Sequence, residues 1–484
     1  MSWTELRNVA LVGTEKRQLS SVITSPLDGQ PSEVAAMQHA ALFGIQRRAG
    51  VPITRTTAEV EAEPVAAPAE QNPPERASHL IELILSGNAV TASLQPPLIH
   101  HWLAKCAAAD CVVPHRLLVP LLDAGARSIE LRSSLRPVLG HRGRWLAEMD
   151  DRWAWAVANT DSNNDISVDE FLRFSADAKG DYVRSLRLTN PAEARRLVEG
   201  AFGDMNAANR TQCVAALSQG LNDDDEEFLE SCLTDGSKLV RSEVRSLLNG
   251  LPNSRRAQRM VSRLAPLVSS EGRLRKSVTV SWPDAPSKAD KSDMTEASTG
   301  TEASIWLRDI VAGTPLSWWE QHLDASPDTL LGRKLTPELE LITGLSIAAV
   351  CQGSIEWADA LVSHGHLNTH VIDIASDDVL VAAIAKLPKP NEKSGGDSAN
   401  LLLQRSGRWS LAYSEAMLKW MQKADSKTPK YLFFSEGLAD RLDPESVNRF
   451  GDLTEKYDGY EREAARRVLQ ALTTHASITE AFER

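Results

Sequence analysis

The chain has 484 residues, of which 42% are hydrophobic and 24% charged, with a formal net charge of −12 and a pI near 5.5. Such a chain is long enough for two to four domains with sizeable cores. Its acidic balance repels phosphate backbones at long range, which argues against a general nucleic-acid binder without excluding a local basic patch.

The chain opens on MSWTELRNVALVGTEKR, which carries Glu5 early and has no long apolar run, so a signal peptide is not expected. Residues 1–53 read as an N-terminal helical segment. No stretch reaches the roughly 18 consecutive apolar residues of a membrane helix. Five cysteines, at 106, 111, 213, 232 and 351, are odd in number and widely spaced. That is thiol usage for a reducing compartment, and the expectation is a cytoplasmic protein.

Residues 54–77, TRTTAEVEAEPVAAPAEQNPPERA, are nearly devoid of large apolar side chains and read as a flexible linker. A helical lobe is expected over 78–282. Within it, Asn190-Pro191-Ala192-Glu193 is a helix start, with Asn as cap, Pro at the first helical position and Glu placed to reach back. Helices follow through Leu197 and Val198, through Val214, Leu217 and Leu221, and after the acidic run Asp223 to Glu227, whose charges suit a helix N-terminus. Next come Leu239, Val240, Val244, Leu247, Leu248 and Leu251 at helical spacing, then Ala257, Met260, Val261, Leu264, Leu267 and Val268. Leu251-Pro252-Asn253-Ser254 separates the two, Pro stopping one helix and Ser capping the next. Each helix is short and one-faced, so each must stack on neighbours.

GRLRKSVTVSW, residues 272–282, is the best strand candidate, with Val278, Val280 and Trp282 alternating with polar residues. Residues 283–303 read as a second linker and 304–484 as a C-terminal helical lobe. There, 338–353 and 355–362 form a helix pair, 376–388 and 411–423 are further helices, and NEKSGGDSA (391–399) is a loop.

Several strings carry chemistry worth weighing. From Asn159, NTDSNNDISVDE places Asn159, Asp161, Asn163, Asp165 and Glu170 at the ligand positions of an EF-hand calcium loop. Asn stands where Asp is usual at the first position, and Asn164 where Gly is usual at the sixth; a polar inter-helix loop is the competing reading. His100, His101, Cys106, Cys111 and His115 suit zinc by type, but their spacing fits no tetrahedral site. In GHRGRWLA (140–147), Arg142, Arg144 and Trp145 could clamp a phosphate or carboxylate; the structural alternative makes Trp145 and Leu146 core anchors, with the arginines capping or pairing with Asp150 and Asp151. Arg255, Arg256, Arg259, Arg263, Arg273, Arg275 and Lys276 form a basic run without interleaved aromatics, which reads as a solvated helix face. There is no GxSxG, HExxH, paired CxxC, P-loop or glycine-rich dinucleotide loop.

The helix over 238–251, with Leu233, Asp235, Val240-Arg241, Val244, Leu248 and Leu251, resembles the second helix of a HEAT repeat. The resemblance implies that Asp235 and Arg241 belong to a set of Asp and Arg side chains pairing between neighbouring repeats. VALVGTEKR (9–17), LRPVLGHRGRWLAEMDDRWAWA (135–156), NPAEARRLV (190–198) and VRSEVRSLLNGLPNSRRAQRM (240–260) together resemble an uncharacterised bacterial family, a domain of unknown function. That resemblance implies a HEAT-like helical protein encoded beside MoxR-type AAA+ ATPases, von Willebrand A-domain proteins and SWIM zinc-finger proteins, with no activity to carry over.

The expected fold is therefore all-α, a HEAT-like α-solenoid of stacked helical hairpins in two lobes with a small β element near 272–282. The expected function is that of a non-catalytic scaffold or adaptor binding other proteins, without cofactor. The alternative is a HEAT-like nucleic-acid-processing enzyme or binder.

Overall fold

Polar punctuation in the sequence starts the helices. In the computed structural model, Asn190 accepts a hydrogen bond from the Glu193 N–H at 3.2 Å, Asn206 from Asn209 at 2.9 Å, Ser254 from Ala257 at 3.2 Å and Ser410 from Tyr413 at 3.2 Å. Each cap satisfies one of the donors that a helix start leaves unpaired. The structure describes residues 3–14, 16, 33–34, 36–38, 40–41, 70–87, 95–157, 166–271, 277–287, 290–296, 302–390, 393–423 and 437–483.

The chain divides into residues 1–66 and 67–484. The first unit contains the helix Trp3–Val12, with Leu6 and Val9 buried, and a hydrogen bond from the Thr14 hydroxyl to Glu33. Among the described residues, the second unit is all-α apart from a three-stranded sheet and an isolated bridge between Gln71 and Cys111.

In the second unit, alternate helices between 176 and 313 lie on one another. Ala176–Thr189 packs on Ala207–Ala216, which packs on Lys238–Asn249, which in turn meets Glu302–Gly313. The intervening helices Pro191–Ala201, Glu226–Cys232 and Arg255–Leu264 line the stack as a second layer. In Lys238–Asn249 the stripe Val240, Val244, Leu247 and Leu248 is buried, but Leu239 is 68% exposed. Leu239 lies about 100° from Val240 around the helix, on the side away from Leu248, and so falls outside the stripe. The next helix stops at Leu264; Leu267 falls in a 3-10 turn and Val268 begins a strand.

Strands β1 (Val268–Glu271) and β2 (Ser277–Val280) pair antiparallel, with Val268 opposite Val280. Strand β3 (Lys334–Thr336) joins β2 in parallel, with Val278 opposite Leu335. Val278 and Val280 are buried as their alternation predicts, whereas Trp282 lies beyond the strand and is 51% exposed.

Among the described residues of the second unit, buried apolar side chains form two clusters, divided elsewhere than at the expected lobe boundary. One holds the stack from Phe171 to Leu251. The other joins Ile81 to Ala156 with Met260 to Ile478. The stretch 283–303, expected as a linker, carries Asp293 and Met294 in buried positions, and β2 and β3 pair across it. Residues 75–77, at the end of the first expected linker, already belong to the helix Glu75–Leu85, where the Ala77 carbonyl accepts the Trp102 indole N–H at 2.8 Å. Part of the expected loop 391–399 lies in the helix Lys393–Leu403. The last helix, Gly459–Glu483, returns to pack on Glu75–Leu85 and Gln95–Ala108.

Candidate functional site

The polar interior of the stack is a series of arginine–carboxylate pairs. Arg187, fully buried, makes a forked pair with Asp225 at 2.8 and 2.7 Å and donates to the carbonyls of Gln219, Gly220 and Pro191. Arg195 adds a third donor to Asp225 at 3.0 Å. One step along, Arg210 pairs with Asp235 at 2.9 Å, and Asp235 also accepts the Ser237 N–H at 2.7 Å, just ahead of the helix Lys238–Asn249. Arg241 donates to the Asp235 carbonyl and to Glu296. Asp235 and Arg241 thus meet through backbone, while each has its ionic partner elsewhere: Asp235 with Arg210 on Ala207–Ala216 and Arg241 with Glu296. Arg241 is largely covered, and Val240 beside it is core.

The basic run after 255 is neutralised. Arg255 pairs with Glu226 at 3.0 Å, and Arg259 with both Glu230 and Asp293 at 3.0 and 2.7 Å. Arg263 pairs with Asp290 and Asp293 at 2.5 and 2.9 Å. Arg256, only 1% exposed, donates to Asn249 and to the Asp293 carbonyl. Residues 290–296 therefore form an acidic strap across the last helix pair, and the run is not the solvated face that its sequence suggests. Arg273, Arg275 and Lys276 lie outside the described residues.

GHRGRWLA forms the helix Gly140–Glu148. Its N-terminus holds a carboxylate supplied by the chain itself: the His141 N–H donates to Glu70 Oε1 at 2.5 Å. Gly140 has φ +62, and a Cβ there would lie 2.6 Å from that oxygen; a Cβ on Gly143 would lie 2.8 Å from the Leu139 side chain. The first glycine admits the carboxylate and the second the neighbouring turn. Trp145 is half-buried and is not the core anchor expected of it, whereas Leu146, the other expected anchor, packs against the core and Ala147 is buried. Arg144 is exposed, and Arg142 donates to His115 Nδ1 at 2.8 Å. Asp150 is held by Arg152, which is nearer along the chain and forks onto both carboxylate oxygens. Gly140→Ala should lower stability by about 2 kcal/mol, because a left-handed backbone conformation and the carboxylate contact are both disturbed. A denaturant titration of this variant matching wild type would refute this account of the motif.

Asn159, Asp161, Asn163 and Asp165 of the calcium-loop candidate lie outside the described residues. Glu170 is described, and its carboxylate accepts the Ser167 N–H and hydroxyl at 3.1 Å in a capping box for the helix Val168–Leu172. The zinc-type residues do not converge. His100 meets Ser134, His115 meets Arg142, and the Cys106 thiol donates to the Cys111 carbonyl at 3.3 Å. Burial pushes the Cys106 thiol up to about 12 and those of Cys213 and Cys232 to about 11, so none is poised as a thiolate. Among the described residues, no group of three or more His, Cys, Asp or Glu could hold a metal ion, and no helix is long and apolar enough to cross a membrane.

One cluster escaped sequence reading. His101 on Gln95–Ala108 meets His475 on the last helix edge-on, ring centroids 4.8 Å apart, and Arg408 and Asp440 contact the two ring nitrogens of His475. Its members lie up to 374 residues apart, and no spacing rule connects them.

Comparison with curated proteins and with solved structures gives no match. A family model does match, across residues 5–482, and so takes in the helix stack, the Gly140–Glu148 helix and the closing helix alike: the chain belongs to the Family of unknown function (DUF5691).

Proposed function

We propose that the chain is a non-catalytic helical-repeat adaptor that binds other proteins. The observation that carries this reading is the two-layered run of stacked helices from 176 to 313. Short helices stacked in this way form an extended surface suited to holding a partner, and a HEAT-like solenoid is the repeat class that the Asp235–Arg241 pattern supports. The buried arginines and carboxylates of the stack are occupied with one another, so they serve register and stability. The sequence resemblance adds the proposed clients, a MoxR-type AAA+ ATPase and a von Willebrand A-domain protein, and with them a cytoplasmic setting. The nucleic-acid reading rested on the basic run, in which Arg255, Arg259 and Arg263 are paired with carboxylates and Arg256 is buried on Asn249 and the Asp293 carbonyl.

The test is capture of partners by the tagged chain from its native cells, with and without ATP, read by mass spectrometry. Recovery of either client in a nucleotide-dependent manner is the expected result. Absence of both in both conditions would remove the client assignment.

A further inference from the structure

The seam between Gln95–Ala108 and Gly459–Glu483 carries a polar cluster with a built-in response to protons. His475 is fully buried. Its Nε2 lies 3.2 Å from Asp440 Oδ1, and its Nδ1 lies 3.1 Å from Arg408 Nη2. Arg408 can only donate, so Nδ1 accepts and Nε2–H donates to Asp440. Both nitrogens are used, and the ring is neutral. An added proton must go to Nδ1, where the Arg408 guanidinium already sits. His101 faces the same ring from the other helix, with Nε2 3.1 Å from the Thr479 hydroxyl.

We propose that this seam is an acid-released latch, in which protonation of His475 and His101 parts the last helix from Gln95–Ala108. The charged surroundings favour release. From Gln95–Ala108, His101 and Lys105 act on the site. From the segments on the other side of the last helix come Arg408 and Asp440, with Asp443 acting on Arg408. From Glu75–Leu85, Arg76 pairs with Glu480 at 3.6 Å, with both side chains well exposed. Two imidazolium rings would therefore join Arg408 and Lys105 around Asp440, the carboxylate that touches His475. The rings meet edge-on, and a hydrogen bond from His101 to the His475 backbone opposes release at His101.

Burial, then His475, Arg408 and Lys105, hold His101 down to about 3, and burial above all holds His475 below its ordinary value. A histidine held low in the closed seam favours closure fully above about pH 6.5, the value of the freed ring, and that contribution is lost as pH falls below it. For each histidine that stays neutral when closed, the opening constant should rise about 25-fold from about pH 7 to about pH 5.

Hydrogen exchange of the full chain, corrected for the chemical rate, reads this directly. Peptides from 95–108 and 459–483 should lose protection by at least that factor, while those from 176–264 hold theirs. His101→Asn combined with His475→Gln keeps polar groups in place and removes the titration, and should abolish the response. The latch is overturned by a seam whose protection is unchanged, by one that falls together with the 176–264 helices, or by a double variant that keeps the full response. Should the double variant not fold, the wild-type onset decides: near pH 6.5 upholds the latch, whereas below about pH 4, where carboxylates titrate, overturns it.

Discussion

Asp225→Ala is expected to lower the unfolding free energy by about 3–5 kcal/mol, the range for stripping one partner from a buried ion pair. Asp225 accepts two bonds from Arg187, one from Arg195 and one from the Asn222 N–H at 3.1 Å. Truncation leaves the Arg187 guanidinium in the stack with only three carbonyl acceptors. Asp225→Asn keeps the shape and should cost less, about 1–3 kcal/mol, by loss of charge-assisted bonds. Removing both charges with Arg187→Met and Asp225→Leu should be milder than Asp225→Ala alone, since no buried charge is then stranded. Chemical denaturation followed by helical circular dichroism measures all three. An Asp225→Ala protein within about 1 kcal/mol of wild type would show that the pair is not what holds the Ala176–Thr189 helix to the following turn.

The same residue shows what the sequence could and could not convey. Asp223, Asp224 and Asp225 read together as an acidic helix start, and locally they are one: Asn222 caps a 3-10 turn over Asp223–Asp225. That Asp225 turns inward depends on Arg187, 38 positions earlier. Locally it differs from its two neighbours only in closing a capping box with Asn222, which does not say that it is buried on an arginine. Arg256 and Arg263 went unread as buried or paired groups for the same reason, because their partners lie on a strap 27 to 37 residues away. What was legible is what short-range physics determines. Caps at Asn190 and Ser254, the Val240, Val244, Leu248 stripe and the Val278, Val280 alternation all appear in place. Glu193, placed for a capping box, instead pairs with Arg196 on the next turn. The parallel partner of β2 at Lys334–Thr336 was beyond reach, because a parallel pairing needs a long crossover and leaves no turn signature.

The site residues divide along the same line. Asp235 was found through a helical pattern, and its neighbour Arg241 with it, as members of a set of Asp and Arg side chains pairing between neighbouring repeats, but the pattern named no partner for either. The observed ionic partners, Arg210 and Glu296, sit on either side and extend the series in both directions. Glycine positions in GHRGRWLA become intelligible only once Glu70 is placed against them. Composition hid this, since Glu70 belongs to a stretch otherwise read as linker.

Asp293 tests whether the strap belongs to the fold or merely lies on it. It is buried; both carboxylate oxygens accept from Arg259, at 2.7 and 2.8 Å, one also meets Arg263 at 2.9 Å, and its carbonyl accepts from Arg256. Asp293→Ala is expected to cost about 3 kcal/mol, at the lower end for a broken buried pair, because Arg259 keeps Glu230 and Arg263 keeps Asp290. Burial alone would raise the Asp293 carboxyl, but Arg259 and Arg263 outweigh it and hold the group below its ordinary value. A carboxylate depressed in the folded state adds stability above its unfolded value, near 3.9, and loses it as pH falls through the folded value. The difference in stability between wild type and Asp293→Ala should therefore be constant from about pH 7 to about pH 5 and shrink below about pH 4. A strap that only rests on the surface would give a small difference at neutral pH that salt abolishes, since exposed pairs are screened. A large, salt-resistant difference that closes only in acid would place residues 290–296 within the stack's own architecture, and with them the connection from Arg255–Leu264 to Glu302–Gly313.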